Sequence, residues 1–419
     1  MDSYQVIVIG GGPAGLAAAI AAKKEAARVL LIEREGRLGG ILKQCIHDGF
    51  GLIRFKEKLS GPEYVEHFID EFENLGIEKL LLTFVTKITK MEDGYVVKFV
   101  NKRGLSEVFT KTIVLACGCR ERTSKQVMIH GTRPAGIFSA GTAQYLTNIL
   151  GQKITKKCVI LGSGDVGLIM ARRLTLEGAK VIGVYEIKDS PTGLTRNVQQ
   201  CLEDYNIPLY LSRTVVRIFG EERLSGVEVA KVDKEMKVIP GTEIVIECDA
   251  LILSVGLIPE NELAEAINVE IDNNTKGPKV NAQGLTSMKG IYSCGNALHV
   301  NDLVDYVSES GEIAGKNAAG YNYADEENVP IHYSNNIAYL IPQRLDLKSD
   351  NSKTTIYFRS GKDEKQIELV LEIDGLRVWH KHYLKINPPE MERLSLDFNS
   401  FKLNKNSRIE FSLETHKNG

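Results

Sequence analysis

The feature that most constrains this chain is a pair of glycine loops, Gly10-Gly11-Gly12-Pro13-Ala14-Gly15 and Gly162-Ser163-Gly164-Asp165-Val166-Gly167. Each sits where a strand gives way to a helix. Residues 4–9 (Tyr-Gln-Val-Ile-Val-Ile) form a nearly continuous apolar run, the pattern of a strand buried on both faces. An alanine-rich helix follows to about Glu25, then a second apolar strand, residues 28–32, ending at Glu33. That makes a βαβ unit of about thirty residues. The second unit repeats the plan: strand 158–161, loop, a helix to about Glu177, strand 181–185, and a terminal acid at Glu186. Two such units about 150 residues apart are a repeat of architecture, not a solenoid.

The Gly-x-Gly-x-x-Gly spacing has a physical reading. The first glycine permits the tight turn, the second lets backbone approach a pyrophosphate, and the third lets helix and strand pack closely. Amide N–H groups at the helix start then face the phosphates. The acid ending the next strand accepts hydrogen bonds from a ribose diol. Strand, helix and acid fall in that order twice, so two dinucleotides are expected. A carboxylate at Glu186 suits a free 2′-hydroxyl and repels a 2′-phosphate. Lys188 is the cation close by in sequence, so NAD is favoured over NADP.

The remaining pattern fills out three segments. Residues 62–76 read as an amphipathic helix with Tyr64, Val65, Phe68, Phe72 and Leu75 at helical spacing. Segments around 81–88, 94–100 and 107–111 read as an antiparallel meander, followed by a buried strand, 112–116, that runs into Cys117-Gly118. Residues 250–256 read as a buried strand with a glycine turn, and a helix is expected from near Asp302 to Ala319. Asp325-Glu326-Glu327 and Pro330 read as a linker. Beyond it, segments 354–359, 366–373, 376–383, 393–398 and 407–413 alternate like strands, with Asp374-Gly375 as a hairpin turn. The expected fold class is α/β. Two Rossmann-like dinucleotide-binding domains are expected, one around each glycine loop. A small all-β C-terminal domain (331–419) follows.

Composition narrows the partners. The chain has 419 residues, 43% hydrophobic and 25% charged, with a net charge of −2. That balance gives no basic surface for nucleic acid or an anionic membrane. The longest apolar stretch, Ala14 to Ala22, is too short to span a bilayer, so no membrane span is expected. The first strand starts by Tyr4, so no targeting segment is expected. Seven cysteines, an odd count without any Cys-x-x-Cys, read as reduced thiols in a cytoplasmic protein with no metal site.

A Thr112…Gly118 strand end, Gly256, and the turn Gly290-Ile291-Tyr292-Ser293-Cys294-Gly295-Asn296 join the two loops in resembling the FAD-dependent pyridine nucleotide-disulfide oxidoreductase superfamily. The resemblance covers residues 4 to about 320. It implies FAD at the first loop, held by Gly10, Gly12, Pro13, Ala14, Gly15, Glu33, Arg34, Gly40, Ala116, Gly118, Gly295 and Asn296, in a Rossmann-like FAD-binding domain (1–120 and 250–328) that carries an inserted Rossmann-like NAD-binding domain (121–249). It implies NAD(H) at the second, held by Gly162, Gly164, Asp165, Gly167, Glu186 and Gly256. The superfamily normally has Asp where Asn296 stands; an amide still accepts and donates a hydrogen bond.

A closer resemblance lies in the run Gly39 to Gly51, in Cys117-Gly118-Cys119-Arg120-Glu121-Arg122-Thr123, and in Arg133-Pro134-Ala135-Gly136. These segments look like FAD/NAD oxidoreductases encoded beside glycerol-3-phosphate dehydrogenase-like proteins. They also look like the α subunits of opine oxidase, hydrogen cyanide synthase and dye-linked proline dehydrogenase. The resemblance implies electron transfer beside a second flavoprotein subunit, in a homo- or hetero-oligomer.

Three readings stand at this point. The first is an FAD-dependent NAD(P)H oxidoreductase that passes electrons to or from a partner flavoprotein dehydrogenase or another acceptor. The second is a disulfide or peroxide reductase using Cys45, with His47 beside it as the other catalytic candidate. A single cysteine would need a nearby positive charge to be a thiolate, and the plain alternative is that Cys45 fills space and His47 bonds within a loop. The third is a non-enzymatic flavin-binding assembly module. Cys117-x-Cys119 reads as packing at a strand end. A helix N-terminus near Asp302 either faces the flavin pyrimidine or is simply capped.

Overall fold

In the computed structural model the described residues are 2–415; Met1 and the last four positions of the expected C-terminal segment lie outside them. They form two compact units. One comprises the residues up to Lys43, Asp48–Cys119, and those from Pro259 onward; the other comprises Gln44–His47 and Arg120–Ile258.

The first unit is built on a seven-stranded sheet. Ser3–Ile9 lies parallel between Val29–Ile32 and Gly104–Leu115, with Val6 opposite both Val29 and Thr112. The meander segment and the buried strand expected separately are one strand, Gly104–Leu115. Its first half pairs antiparallel with Gly94–Asn101. Its last residues run parallel to Ser3–Ile9 and to Ile291–Ser293. The sequence breaks in character there because the first half is half-solvated and the second is buried on both faces.

Two helices carry the loop geometry of this unit. Pro13–Lys24 is buried nearly all round, as its alanines require. Val304–Ala319 packs on it backbone to backbone. A Cβ at Gly311 would fall 2.2 Å from the Ala14 carbonyl oxygen, and one at Gly315 would fall 2.0 Å from that of Ala18. Only glycine at those two positions allows the approach. Gly61–Asn74 opens on a capping box, with Ser60 accepting from the Glu63 amide and Glu63 accepting from the Ser60 amide. Its buried face is Tyr64, Val65, Phe68 and Phe72, each worth about 2 kcal/mol on burial.

The residues from Asn328 onward form two β-sheets. Five strands run in the order Arg344–Asp346, Asn328–Tyr333, Ile409–Thr415, Glu364–Ile373, Leu376–Ile386. Three more run Ile337–Ile341, Thr354–Ser360, Met391–Leu396. Leu345, Ile356, Phe358, Leu369, Leu371 and Phe411 are buried in one common apolar core. The turn at Asp374-Gly375 has both residues at positive φ, 54° and 78°, the geometry an Asp-Gly hairpin favours. Three strands between Asn328 and Asp346 lie in the stretch expected to be linker or irregular. Their alternation is short and broken by Pro330 and Pro342. These sheets fall within the first compact unit.

The second unit has a five-stranded parallel sheet in the order Ile137–Ser139, Ala250–Leu253, Lys157–Leu161, Lys180–Tyr185, Leu209–Tyr210. A four-stranded sheet accompanies it: His130–Gly131, Arg213–Gly220, Leu224–Lys231, Ile244–Glu247. Here the expected boundary is corrected. The sequence pattern puts Ala250–Leu253 in the first domain, but it pairs residue by residue with Cys158–Leu161 inside the second sheet. The second unit therefore runs from Arg120 to Ile258 rather than from 121 to 249. A four-residue buried strand reads identically in either sheet, which is why sequence alone misplaced it.

Candidate functional site

The first glycine loop is closed from three sides. Gly10 has φ +109°, and a Cβ on it would lie 2.3 Å from the Ala116 carbonyl oxygen. A Cβ on Gly15 would lie 1.8 Å from the Gly10 oxygen. Gly40, at φ +54°, brings its backbone against Gly12, where a Cβ would meet the Gly12 Cα at 2.9 Å. Gly295 sits on the far side against Ala14, its amide donating to Ser310 Oγ at 2.9 Å. The helix beyond has Gly12 at its N-cap with no side-chain cap and Pro13 at its first position. No side chain takes its first amide N–H groups, which leaves a backbone cradle suited to an anion.

Glu33 is buried at the end of Val29–Ile32. One oxygen accepts from the Gly11 amide at 2.5 Å and the other from the Glu35 amide at 2.7 Å. Asn296 accepts through Oδ1 from the amide and side chain of Asn301, at 3.1 and 3.2 Å, and donates to Cys119 Sγ at 3.6 Å. Arg34 forms an ion pair with Glu260 at 3.0 Å. Gly118, at φ +76°, accepts from the Glu260 amide through its carbonyl. These residues fit a dinucleotide: glycine backbone where a Cβ would block approach, an uncapped helix start, and an acid at the strand end.

The second loop follows the same plan. Gly162 has φ +93°, and its Cβ would fall 2.1 Å from the Ser254 carbonyl oxygen. Gly164 is the helix N-cap, again without a side-chain cap. Gly167 donates to Ser254 Oγ at 3.1 Å. Asp165 accepts from the Leu194 amide at 2.9 Å and the Asn197 side chain at 2.6 Å. Glu186 is 4% exposed. It accepts from the Ser163 amide at 2.9 Å, the Ser163 hydroxyl at 2.6 Å, the Lys188 amide at 3.0 Å and the Thr192 hydroxyl at 3.3 Å.

Two residues at this loop escaped the sequence reading. Gly256 has Arg122 as its nearest side chain and accepts from the Arg122 amide. Ser254 is the residue that lies against the glycines. A signal existed: Leu253-Ser254-Val255-Gly256 stands to the second loop as Leu115-Ala116-Cys117-Gly118 stands to the first. Arg213 is the other. Its amide donates to the Glu186 carbonyl and its guanidinium lies over the Tyr210 ring at 5.4 Å. Lys188 is thus not the sole cation beside Glu186.

Cys45 and His47 fall in the short segment Gln44–His47, which groups with the second unit. Gln44 donates to the Gly141 carbonyl at 2.8 Å and to Gln144 at 3.1 Å, and Cys45 Sγ lies 3.7 Å from Gln144 Oε1. Burial pushes the Cys45 thiol up to about 12. That is opposite to the shift an attacking thiolate needs. Burial likewise lifts Cys117, Cys158 and Cys248 to about 12. All seven cysteines are free thiols. Among the described residues no cluster of His, Cys, Asp and Glu could hold a metal ion. Among them, too, no helix is long and apolar enough to cross a membrane.

His299, three residues beyond Asn296, had no sequence signal. It is 1% exposed, its ring lies 5.3 Å from Tyr357 and 5.9 Å from Tyr339, and among the described residues neither nitrogen has a hydrogen-bond partner. Burial, with Arg359 adding to it, lowers its pKa to about 3. The expected helix near it starts at Val304, and Asp302 does not cap it. Both Asp302 oxygens are engaged instead by Arg359 and the Met391 amide.

Comparison with known proteins agrees with this geometry. The chain is 27% identical over 342 residues to a ferredoxin–NADP reductase of Streptococcus equi subsp. zooepidemicus, covering 79% of this chain and 97% of that one. Its fold matches the crystal structure of T. acidophilum thioredoxin reductase with a TM-score of 0.62 at 20% identity, over 76% of this chain and 99% of that one. It matches L-proline dehydrogenase from P. horikoshii with a TM-score of 0.51 at 20% identity, over 76% and 55%. The family model for pyridine nucleotide-disulphide oxidoreductases matches residues 4–314. With two nucleotide loops of this geometry, the reading as a non-enzymatic module falls: the chain belongs to the pyridine nucleotide-disulphide oxidoreductase family and is an FAD-dependent NAD(P)H oxidoreductase.

Proposed function

We propose that this chain takes a hydride between NADH and its flavin and exchanges the electrons with an external acceptor or a partner flavoprotein dehydrogenase, with no thiol relay. The observation that carries the reading is the state of Cys45. It is the cysteine nearest the first loop in sequence, it is half-buried, and desolvation pushes its thiol up to about 12. A relay through it would need the thiolate at neutral pH.

FAD, when bound, supplies the two-electron chemistry. The chain's own residues bind and orient. The loop Gly10–Gly15 and the start of Pro13–Lys24 would hold the pyrophosphate of FAD, Glu33 its ribose, and Gly295-Asn296 the chain leading to the ring. Gly162–Gly167 and Glu186 would hold the nicotinamide nucleotide. Seating both cofactors converts an encounter into a positioned reaction.

The streptococcal relatives are named for NADP. In this chain the buried carboxylate of Glu186 supports NAD, since a 2′-phosphate would be brought against it. The partner flavoprotein rests on the resemblance of residues 39–51, 117–123 and 133–136 to the α subunits of amino-acid and opine dehydrogenase complexes.

Anaerobic titration with NADH and then NADPH, followed by flavin visible absorbance, tests the reading. NADH should bleach the flavin, and an artificial dye should reoxidise it while small disulfides should not. No bleaching by either nucleotide, or disulfide-driven reoxidation that disappears in Cys45→Ser, would overturn it.

A further inference from the structure

The two glycine loops share a plan but differ at one position. In the first, Gly11 stands between the first two loop glycines, and Glu33 takes its amide N–H. In the second that position is Ser163, and the hydroxyl adds a network of its own. Ser163 Oγ donates to Glu186 at 2.6 Å and accepts from the Thr192 amide at 2.9 Å. The Thr192 hydroxyl reaches the same Glu186 oxygen at 3.3 Å. The segment carrying Thr192 is pinned again by Asp165, which accepts from Leu194 and Asn197. It is also pressed close at Gly193, where a Cβ would lie 2.7 Å from the Ser163 carbonyl oxygen.

We propose that Ser163 and Thr192 are specificity-determining positioning residues: their hydroxyls lock the Glu186 carboxylate in place, so that the site refuses a nucleotide bearing a 2′-phosphate. The proposal rests on reading the second loop as an NAD site. Discrimination of this kind works by placing a repulsive group against the wrong ligand, and it fails if that group can swing aside. Three of the four hydrogen bonds on Glu186 converge on one oxygen, and two of those three come from these hydroxyls. Lys188 and Arg213 flank Glu186 through backbone hydrogen bonds. Once the carboxylate is loosened, the flanking cations would attract the phosphate that the lock keeps out.

The test is calorimetric titration of the oxidised, flavin-loaded protein with NAD+ and NADP+, so the readout is a ratio of two dissociation constants, not turnover. The wild-type protein should favour NAD+. Ser163→Ala and Thr192→Val should each lower the preference, the double variant by about tenfold, the scale of a lost hydrogen bond to a charged group. Ser163→Thr should retain it. Thr192→Val keeps volume and serves if Ser163→Ala loses flavin. If both dissociation constants rise by one factor and the ratio holds, the hydroxyls are merely structural and the lock is wrong while NAD binding stands. If the wild-type protein itself prefers NADP+, the coenzyme reading falls and the lock with it.

Discussion

Arg359 holds Asp302 with a 2.5 Å ion pair, both side chains 18% exposed, so a strand of the C-terminal sheets grips the residue next to the N-cap of Val304–Ala319. The same guanidinium donates to the Pro388 and Pro389 carbonyls. Removing it leaves a largely buried carboxylate without its cation. Arg359→Ala should cost about 3 kcal/mol in urea unfolding. The more exposed pair Arg393–Glu309 should cost about 1 kcal/mol when Arg393 is replaced by Ala. Equal costs would mean burial does not set the strength of these anchors.

The first loop offers a contrast between two glycines. A Cβ at Gly12 meets nothing nearer than the Gly40 Cα at 3.8 Å, whereas one at Gly15 lies 1.8 Å from the Gly10 carbonyl oxygen. Gly12→Ala should keep its circular dichroism but emerge with little flavin. Gly15→Ala should lose both. Yellow Gly12→Ala protein with full flavin content would show that no ligand approaches that backbone.

Cys45 is predicted to be a spectator. Burial raises the thiol to about 12, so it stays protonated across the working pH range. Cys45→Ser should change NADH oxidation with a dye acceptor by less than about twofold, and alkylation of Cys45 at pH 8 should be slow. Rapid labelling with loss of turnover would reinstate the thiol.

His299 should leave a mark on acid stability. Its folded pKa is lowered to about 3 from 6.5, so the unfolded chain binds the proton more readily between those values. Stability from the neutral ring is complete above pH 6.5 and drains away as pH falls toward 3. Near pH 4 the deficit should be on the order of 3 kcal/mol. His299→Phe, which keeps an aromatic ring between Tyr339 and Tyr357, should flatten that part of the stability curve. Parallel curves for the two proteins would mean the ring finds a proton acceptor in the native state.

Much of this was legible from residues alone, for identifiable reasons. Both glycine loops announce themselves because tight turns and close backbone approach tolerate no Cβ, and Glu33 and Glu186 because a buried acid rarely ends a strand without a task. What was not legible depends on partners distant in sequence. Whether Ala250–Leu253 joins one sheet or the other is decided by its neighbour Lys157–Leu161, not by its own composition. Asp302 carries no local sign that Arg359, 57 residues later, will claim its carboxylate. His299 has no local pattern, since its burial is produced by Tyr339 and Tyr357.

The backbone contact between Ala14 and Gly311, and between Ala18 and Gly315, bears on biosynthesis. A ribosome makes the first member of each pair long before the second. The strands of the inserted unit between Arg120 and Ile258 are all available once that stretch emerges. The opening strand and helix must wait for the 290s and 310s before their burial is complete. The inserted unit should therefore acquire protease resistance on the ribosome first, while the opening strand and helix stay open until the helix carrying Gly311 and Gly315 is made.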